Sequence, residues 1–136
     1  MIKDHFFENE ADLLTFLKKE SEYSLVAELC SLIGINNKNQ IVCRQMQNRS
    51  KNPEQYFIID PYDYLLFMKD YKILSIFHSH LIGDEKASEF DKKTSESCCL
   101  AFIIYSICTE NFHIYEPKYK DYDVNIIERL KELLND

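Results

Sequence analysis

The sequence is poor in glycine and lacks paired cysteines, and each shortage excludes a class of site. Only two glycines occur in 136 residues, so a glycine-rich loop that cradles phosphate groups is not expected. The five cysteines are odd in number, and none of them forms a C-x-x-C pair. This pattern disfavours a cysteine zinc knuckle and a disulfide framework. We therefore expect free thiols that are mostly buried.

Positive charge and long apolar runs are also scarce. The formal net charge is -7, which disfavours a nucleic-acid-binding face because such a face clusters Lys and Arg. No apolar run reaches the roughly 18 residues that a membrane helix needs. The first residues, MIKDHFFENEADLL, carry acidic side chains where a signal peptide has an apolar stretch. We expect a cytoplasmic protein without nucleic-acid or membrane partners.

The remaining composition is that of a globular protein, with 46% hydrophobic and 29% charged residues. Residues 1–136 contain no repeat or linker, so we expect one domain with one core. Apolar periodicity and turn residues predict a mixed α/β (α+β) fold. The predicted helices cover 8–20, 61–71, 88–97 and 123–136, and the predicted strands cover 27–35, 40–46, 54–60, 72–80, 100–108 and 111–117.

Two histidines, His78 and His80, close the predicted strand 72–80. Side chains alternate along a strand, so both imidazoles point to the same face and can coordinate one ion. Asp91, in the first turn of the next predicted helix, can supply a third ligand. Two histidines and one carboxylate, with a water, make the ligand set of an open catalytic zinc site, whereas a structural zinc takes four protein ligands.

Each of these residues also has a structural interpretation. Ser88 and Asp91 have the spacing of a helix N-cap and its N3 partner, which alone would explain both. The histidine pair could simply close a strand at the surface. The H-x-H spacing followed by S-x-x-D favours the metal site. The cap and the metal site are compatible, because a capped turn also fixes the direction of Asp91.

This arrangement resembles the JAMM (MPN+) metallopeptidases, also called JAB-domain proteases. Their motif is an upstream Glu, then H-x-H, seven residues and S-x-x-D. Here ELCSLIG places Glu28 in register with the upstream element, although Ser31 replaces the usual glycine. QNRSKNPEQYFIIDPYDYL and NFHIYEP resemble further family segments, the second from the bacterial branch that includes the JAB domain of phage tail assembly protein K. Leu81 and Ala87 stand where the family usually has proline.

The resemblance implies a curved mixed β-sheet flanked by helices and a zinc-dependent peptidase or isopeptidase. His78, His80 and Asp91 would hold one Zn²⁺, Glu28 would act as general base and Ser88 would donate to the oxyanion. From local sequence alone, Glu28 could equally face solvent at a strand edge, and Glu20 and Glu22 are nearby alternatives.

The substrate implied by the resemblance is the C-terminal tail of a ubiquitin-like protein or its conjugate. The associated conjugation enzymes would be further partners, in a bacterial antiviral pathway. Two alternatives stay open, a phage tail assembly peptidase and a non-catalytic MPN scaffold that mediates protein contacts. Members of the second kind lack the zinc ligands, so the presence of all five motif residues disfavours a scaffold.

Overall fold

A computed structural model describes residues 3–135 and contains six strands and four helices. The expected class, a mixed α+β fold in a single domain, is confirmed. The strands are β1 (Asp4–Phe7), β2 (Cys30–Ile35), β3 (Ile41–Met46), β4 (Lys72–His80), β5 (Ala101–Ser106) and β6 (Phe112–Tyr115). The helices are α1 (Glu10–Glu22), α2 (Pro61–Asp70), α3 (Glu89–Cys98) and α4 (Val124–Leu134). Among residues 3–135, none of these helices combines the length and apolar composition needed to cross a bilayer.

All six strands form one sheet in the order β1-β3-β2-β4-β5-β6. Strand β4 pairs with β5 in parallel, and every other neighbouring pair is antiparallel. A parallel pair needs a crossover connection, and α3 supplies it. Because β2 runs antiparallel to β4, the start of β2 lies beside the end of β4. The topology thereby brings residues before β2, the end of β4 and the start of α3 to one place.

The central strands carry most of the core. All six residues of β5 and the last seven of β4 are buried, as expected for strands that are covered on both faces. Helix α1 contributes Leu13 and Leu17, and α4 contributes Ile127 and Leu130. Gly34 in β2 permits a close approach of α2, because a Cβ at this position would lie 2.7 Å from the Lys72 carbonyl oxygen and 2.9 Å from the Phe67 ring.

The predicted strand at 54–60 is wrong. Residues 54–55 form a turn, and residues 56–60 have no regular secondary structure and belong to no sheet. Asn48 is the physical reason, since its side chain accepts a hydrogen bond from the Ile58 N–H at 3.2 Å and donates to the Tyr56 carbonyl at 2.9 Å. A side chain thus takes the place of a neighbouring strand.

The sixth strand is instead β1, which the sequence pattern did not indicate. Its four residues pair with β3, and Asp4 accepts hydrogen bonds from Arg44 Nε at 2.6 Å and Nη2 at 2.9 Å. The Tyr71 hydroxyl also donates to Asp4, at 2.6 Å. The strand is short, and a long-range ion pair holds it, so no local periodicity marks it.

The predicted strand 72–80 matches β4, and the other predicted elements are present with shifted ends. The predicted strands 27–35 and 100–108 shorten to β2 and β5, and residue 136 of the predicted last helix lies outside the described residues. All five cysteines are free. The expectation that most are buried is wrong, since Cys30 and Cys43 are buried, Cys98 and Cys99 are half-buried and Cys108 is exposed.

Candidate metal centre

Three side chains converge where β4 ends and α3 begins. The Nε2 atoms of His78 and His80 lie 3.1 Å apart. Asp91 Oδ1 lies 3.1 Å from His78 Nε2, and Asp91 Oδ2 lies 3.1 Å from His80 Nε2. One ligand atom from each residue lies within 4.8 Å of the others. The three residues that the H-x-H and S-x-x-D spacing singled out are therefore together, and they can hold a metal ion.

The proton positions at His80 favour a cation at this point. His80 Nδ1 donates to the Asp84 carbonyl oxygen at 2.8 Å, which leaves a lone pair on Nε2 when the ring is neutral. That lone pair faces an anionic oxygen of Asp91 at 3.1 Å, so the contact is favourable only with a proton or a metal ion between them. The donors of a tetrahedral zinc are about 3.4 Å apart, since each bond is about 2.0–2.1 Å long. The donor set and its spacing thus fit a divalent metal.

The N-terminus of α3 aims Asp91 at the histidines. Ser88 is the N-cap, and its Oγ accepts a hydrogen bond from the Asp91 N–H at 3.1 Å. In return the Ser88 N–H donates to Asp91 Oδ2 at 2.9 Å, which completes a capping box. The structural interpretation of Ser88 and Asp91 is therefore confirmed, and it coexists with the metal cluster. The cap restricts the carboxylate to the direction in which it meets His78 and His80.

The same contacts keep Asp91 ionised. Burial would raise the pKa of Asp91, but its contacts with the His78 and His80 rings outweigh burial and hold that pKa well below its ordinary value. Complete burial lowers the pKa of His78, so this imidazole is neutral at physiological pH. A neutral imidazole and a carboxylate are the protonation states that a metal requires of its ligands. At His80 burial is outweighed by the contacts with Asp91 and the Asp84 carbonyl, which raise its pKa, so a metal would displace a proton from this ring.

Glu28 reaches the cluster through the antiparallel pairing of β2 and β4. The Leu29 N–H donates to Ser79 Oγ at 2.9 Å, and the Ser79 N–H donates to the Leu29 carbonyl at 2.9 Å. Glu28 itself is only 6% exposed, so its expected alternative as a solvent-facing residue is wrong. Glu20 and Glu22 lie in α1 and do not line the cleft that Glu28 lines.

Burial perturbs Glu28 strongly. Desolvation raises the pKa of Glu28 to about 8, while His80 opposes this shift and the negative charge of Asp91 adds to it. A carboxyl group with such a pKa can exchange a proton near neutral pH, which is the requirement for general acid–base work.

Glu28 shares one cleft, of about 310 Å³, with His80, Ser88 and Asp91. The walls of the cleft come from residues 54–57 and from Phe90, and the rings of Tyr56 and Phe90 pack edge to face with centroids 5.7 Å apart. The cleft therefore places a buried acid and two members of the metal cluster beside an apolar wall that could contact a substrate.

Asn48 is a residue of the site that sequence reasoning did not single out. Besides its bonds to Tyr56 and Ile58, its amide group donates to the Glu28 carbonyl at 3.0 Å and to the Pro53 carbonyl at 3.3 Å. Asn48 therefore ties the wall of the cleft to the residue that carries the buried acid. The only signal in the sequence was the resemblance of the segment that begins at residue 47 to a family pattern.

The loop 81–87 contains no proline, and hydrogen bonds hold it in place. Ser106 Oγ donates to the Gly83 carbonyl at 2.8 Å, and His80 Nδ1 donates to the Asp84 carbonyl. Gly83 has φ +85°, a conformation that glycine adopts without strain. The neighbouring strand β5 thus fixes the connection between the histidines and Asp91.

Comparison with known proteins gives a fold relative and no family. No protein-family model matches the chain, and no curated protein matches it. The solution structure of protein DSY2949 from Desulfitobacterium hafniense is similar, with a TM-score of 0.56 and 19% sequence identity. The similarity covers 85% of this chain and 94% of that protein. At this level of identity the similarity concerns the fold alone.

Proposed function

We propose that the protein is a zinc-dependent peptidase or isopeptidase, with Zn²⁺ held by His78, His80 and Asp91. The observation that carries this proposal is that a buried carboxyl, Glu28, lines the same cleft as His80 and Asp91. Zinc in such a site acts as a Lewis acid toward a substrate carbonyl and toward water. Zinc suits the ligand set because it binds imidazole nitrogen and carboxylate oxygen.

Glu28 is the proton carrier in this proposal. Its carboxylate accepts a proton from the water that attacks the substrate carbonyl, and the resulting carboxylic acid delivers that proton to the leaving amine. Burial supports the first step, since desolvation raises the pKa of the Glu28 carboxyl and so makes its carboxylate a stronger base than an exposed one.

Ser88 is the oxyanion donor in this proposal. Its Oγ accepts the hydrogen bond from the Asp91 N–H, so the hydroxyl hydrogen is still free to donate. Ser88 also lines the cleft. A donor of this kind, placed where negative charge develops on the substrate oxygen, is typically worth about 10²–10³ in turnover.

The substrate is an extended peptide tail. Tyr56 and Phe57 line the cleft, and within residues 3–135 the N–H and C=O groups of Phe57 form no hydrogen bond. An extended peptide can pair with such a backbone by strand addition. Following the family resemblance, we propose the C-terminal tail of a ubiquitin-like protein or its conjugate as substrate, with the associated conjugation enzymes as partners, in the cytoplasm.

The test uses two carboxyl-to-amide variants of the same cleft. Glu28→Gln should retain zinc and lose cleavage of a ubiquitin-like protein fused through its tail to a reporter. Glu54→Gln removes an exposed carboxylate that also lines the cleft and should cleave like the wild type. Equal activity in Glu28→Gln would remove Glu28 from its role. Failure of zinc-loaded wild type to cleave any of a panel of such fusions would count against this substrate class.

A further inference from the structure

The two histidines of the metal cluster are oriented by different means. A metal-ligating histidine usually donates its second ring N–H to an acceptor, which fixes the orientation of the ring. His80 follows this rule, because its Nδ1 donates to the Asp84 carbonyl. His78 does not follow it, since its Nδ1 is buried and finds no hydrogen-bond partner among the described residues. Some other contact must orient the His78 ring.

Aromatic packing supplies that contact. The Phe57 ring stacks on the His78 imidazole with centroids 4.5 Å apart and an interplanar angle of 28°. The Phe102 ring meets the same imidazole edge to face, with centroids 5.5 Å apart and an angle of 76°. His78 is 0% exposed and Phe57 is 5% exposed, so little room exists for the imidazole to rotate while both rings are present.

We propose that Phe57 is a positioning residue whose ring holds His78 Nε2 in the direction of His80 and Asp91. Stacking on Phe57 orients the His78 ring, as the hydrogen bond from Nδ1 orients the His80 ring. This inference rests on the proposed metal site and extends it to a residue that binds neither metal nor proton.

The position of Phe57 in the chain gives this contact a further consequence. Phe57 lies between Tyr56 and Ile58, whose backbone groups are bonded to the Asn48 side chain. Tyr56 and Phe57 line the cleft. The cleft wall therefore sets the orientation of the His78 ring. A shift of that wall would change the position of His78 Nε2 in the metal site without any contact between the wall and the ion.

The test compares the loss of two buried phenylalanine rings. Phe57→Leu removes the ring that stacks on His78. Phe67→Leu is the matched control, because Phe67 is fully buried and packs against Arg44 and Tyr71, away from the metal cluster. Each purified variant is titrated with Zn²⁺ in competition with a chromophoric chelator, and the visible spectrum of the Co²⁺-loaded protein is recorded. Four-coordinate cobalt absorbs more strongly than five- or six-coordinate cobalt, so this spectrum reports ligand geometry.

We expect Phe57→Leu to weaken zinc binding by about tenfold, the lower end of the range for residues that orient a ligand, and to change the cobalt spectrum. Phe67→Leu should lose thermal stability but keep zinc affinity within about twofold of the wild type, as distant sites act independently. If Phe57→Leu does not fold, Phe57→Met, which fills the space without a flat ring, replaces it and should show the same loss.

Three outcomes would overturn the proposal. A folded Phe57 variant that binds zinc with wild-type affinity and spectrum would remove Phe57 from this role while leaving the metal site intact. An equal loss of affinity in Phe67→Leu would show that general loosening of the core is responsible. A wild type that binds no zinc would instead refute the proposed function together with this inference, so the two failures are distinguishable.

Discussion

Replacing Ser88 with alanine separates the two roles that this residue has. The Ser88 hydroxyl caps α3 by accepting a hydrogen bond from the Asp91 N–H at 3.1 Å, and in the proposed function the same hydroxyl donates to the oxyanion. Loss of an N-cap costs about 1 kcal/mol. For a chain of this size, that cost lowers the melting temperature by roughly 2–5 °C.

Metal affinity should change little in Ser88→Ala. Asp91 keeps its second restraint, because the bond from Ser88 to Asp91 Oδ2 at 2.9 Å uses a backbone N–H that alanine also has. Turnover, by contrast, should fall by about 10²–10³ if the hydroxyl stabilises the oxyanion. A capping role alone predicts no such loss in a folded, zinc-loaded protein.

The matched control is Asn9→Ala at the N-cap of α1. The Asn9 side chain accepts a hydrogen bond from the Asp12 N–H at 2.9 Å, and Asn9 does not line the cleft that contains Ser88. Melting temperature, zinc affinity and initial cleavage rate are measured for both variants. Both should lose similar stability, and only Ser88→Ala should lose turnover. Equal cleavage by the two variants would refute the oxyanion role and leave Ser88 as a cap.

The remaining predictions concern stability and can be checked by urea unfolding. Gly34→Ala should lose about 1–3 kcal/mol, the range for overpacking, because the new methyl group would meet the Lys72 carbonyl and the Phe67 ring; unchanged stability would mean that α2 can move away freely. The hydrogen bonds from Arg44 lower the pKa of Asp4 in the folded protein. Ionised Asp4 therefore makes its whole contribution to stability above the ordinary aspartate pKa of about 3.9. This contribution is lost as the pH falls through the lowered pKa of the folded state. Wild type should therefore lose more stability than Asp4→Asn upon acidification below about pH 4, and parallel pH profiles would contradict this.

The sequence predicted the metal cluster well because its determinants are local. His78 and His80 share a face through strand alternation, and the Ser88–Asp91 spacing encodes a cap that needs only one helical turn. These short-range rules placed three ligands in two neighbouring elements. Glu28 was harder, because its approach to the cluster depends on the pairing of β2 with β4. Only the resemblance to a family motif distinguished it from Glu20 and Glu22.

The failures of prediction share a long-range cause. Residues 56–59 form an apolar run typical of a buried strand. The Asn48 side chain instead bonds the Tyr56 carbonyl and the Ile58 N–H, and no periodicity reveals such a contact. Strand β1 is short, and Arg44 holds it from another strand. The contact between Phe57 and His78 could not be predicted from the sequence either, because 21 positions separate the two residues and only the tertiary fold brings their rings together.

Anomalous diffraction at the zinc absorption edge tests the proposed function most directly. Crystals of the wild-type protein, grown after zinc loading and removal of unbound metal, should show one anomalous peak between His78 Nε2, His80 Nε2 and the Asp91 carboxylate, with the Glu28 carboxyl facing it. His78→Ala crystals treated in the same way should lack the peak. Wild-type crystals without a peak at this position, or with Glu28 turned away from the cleft, would contradict a zinc peptidase and favour a non-catalytic domain.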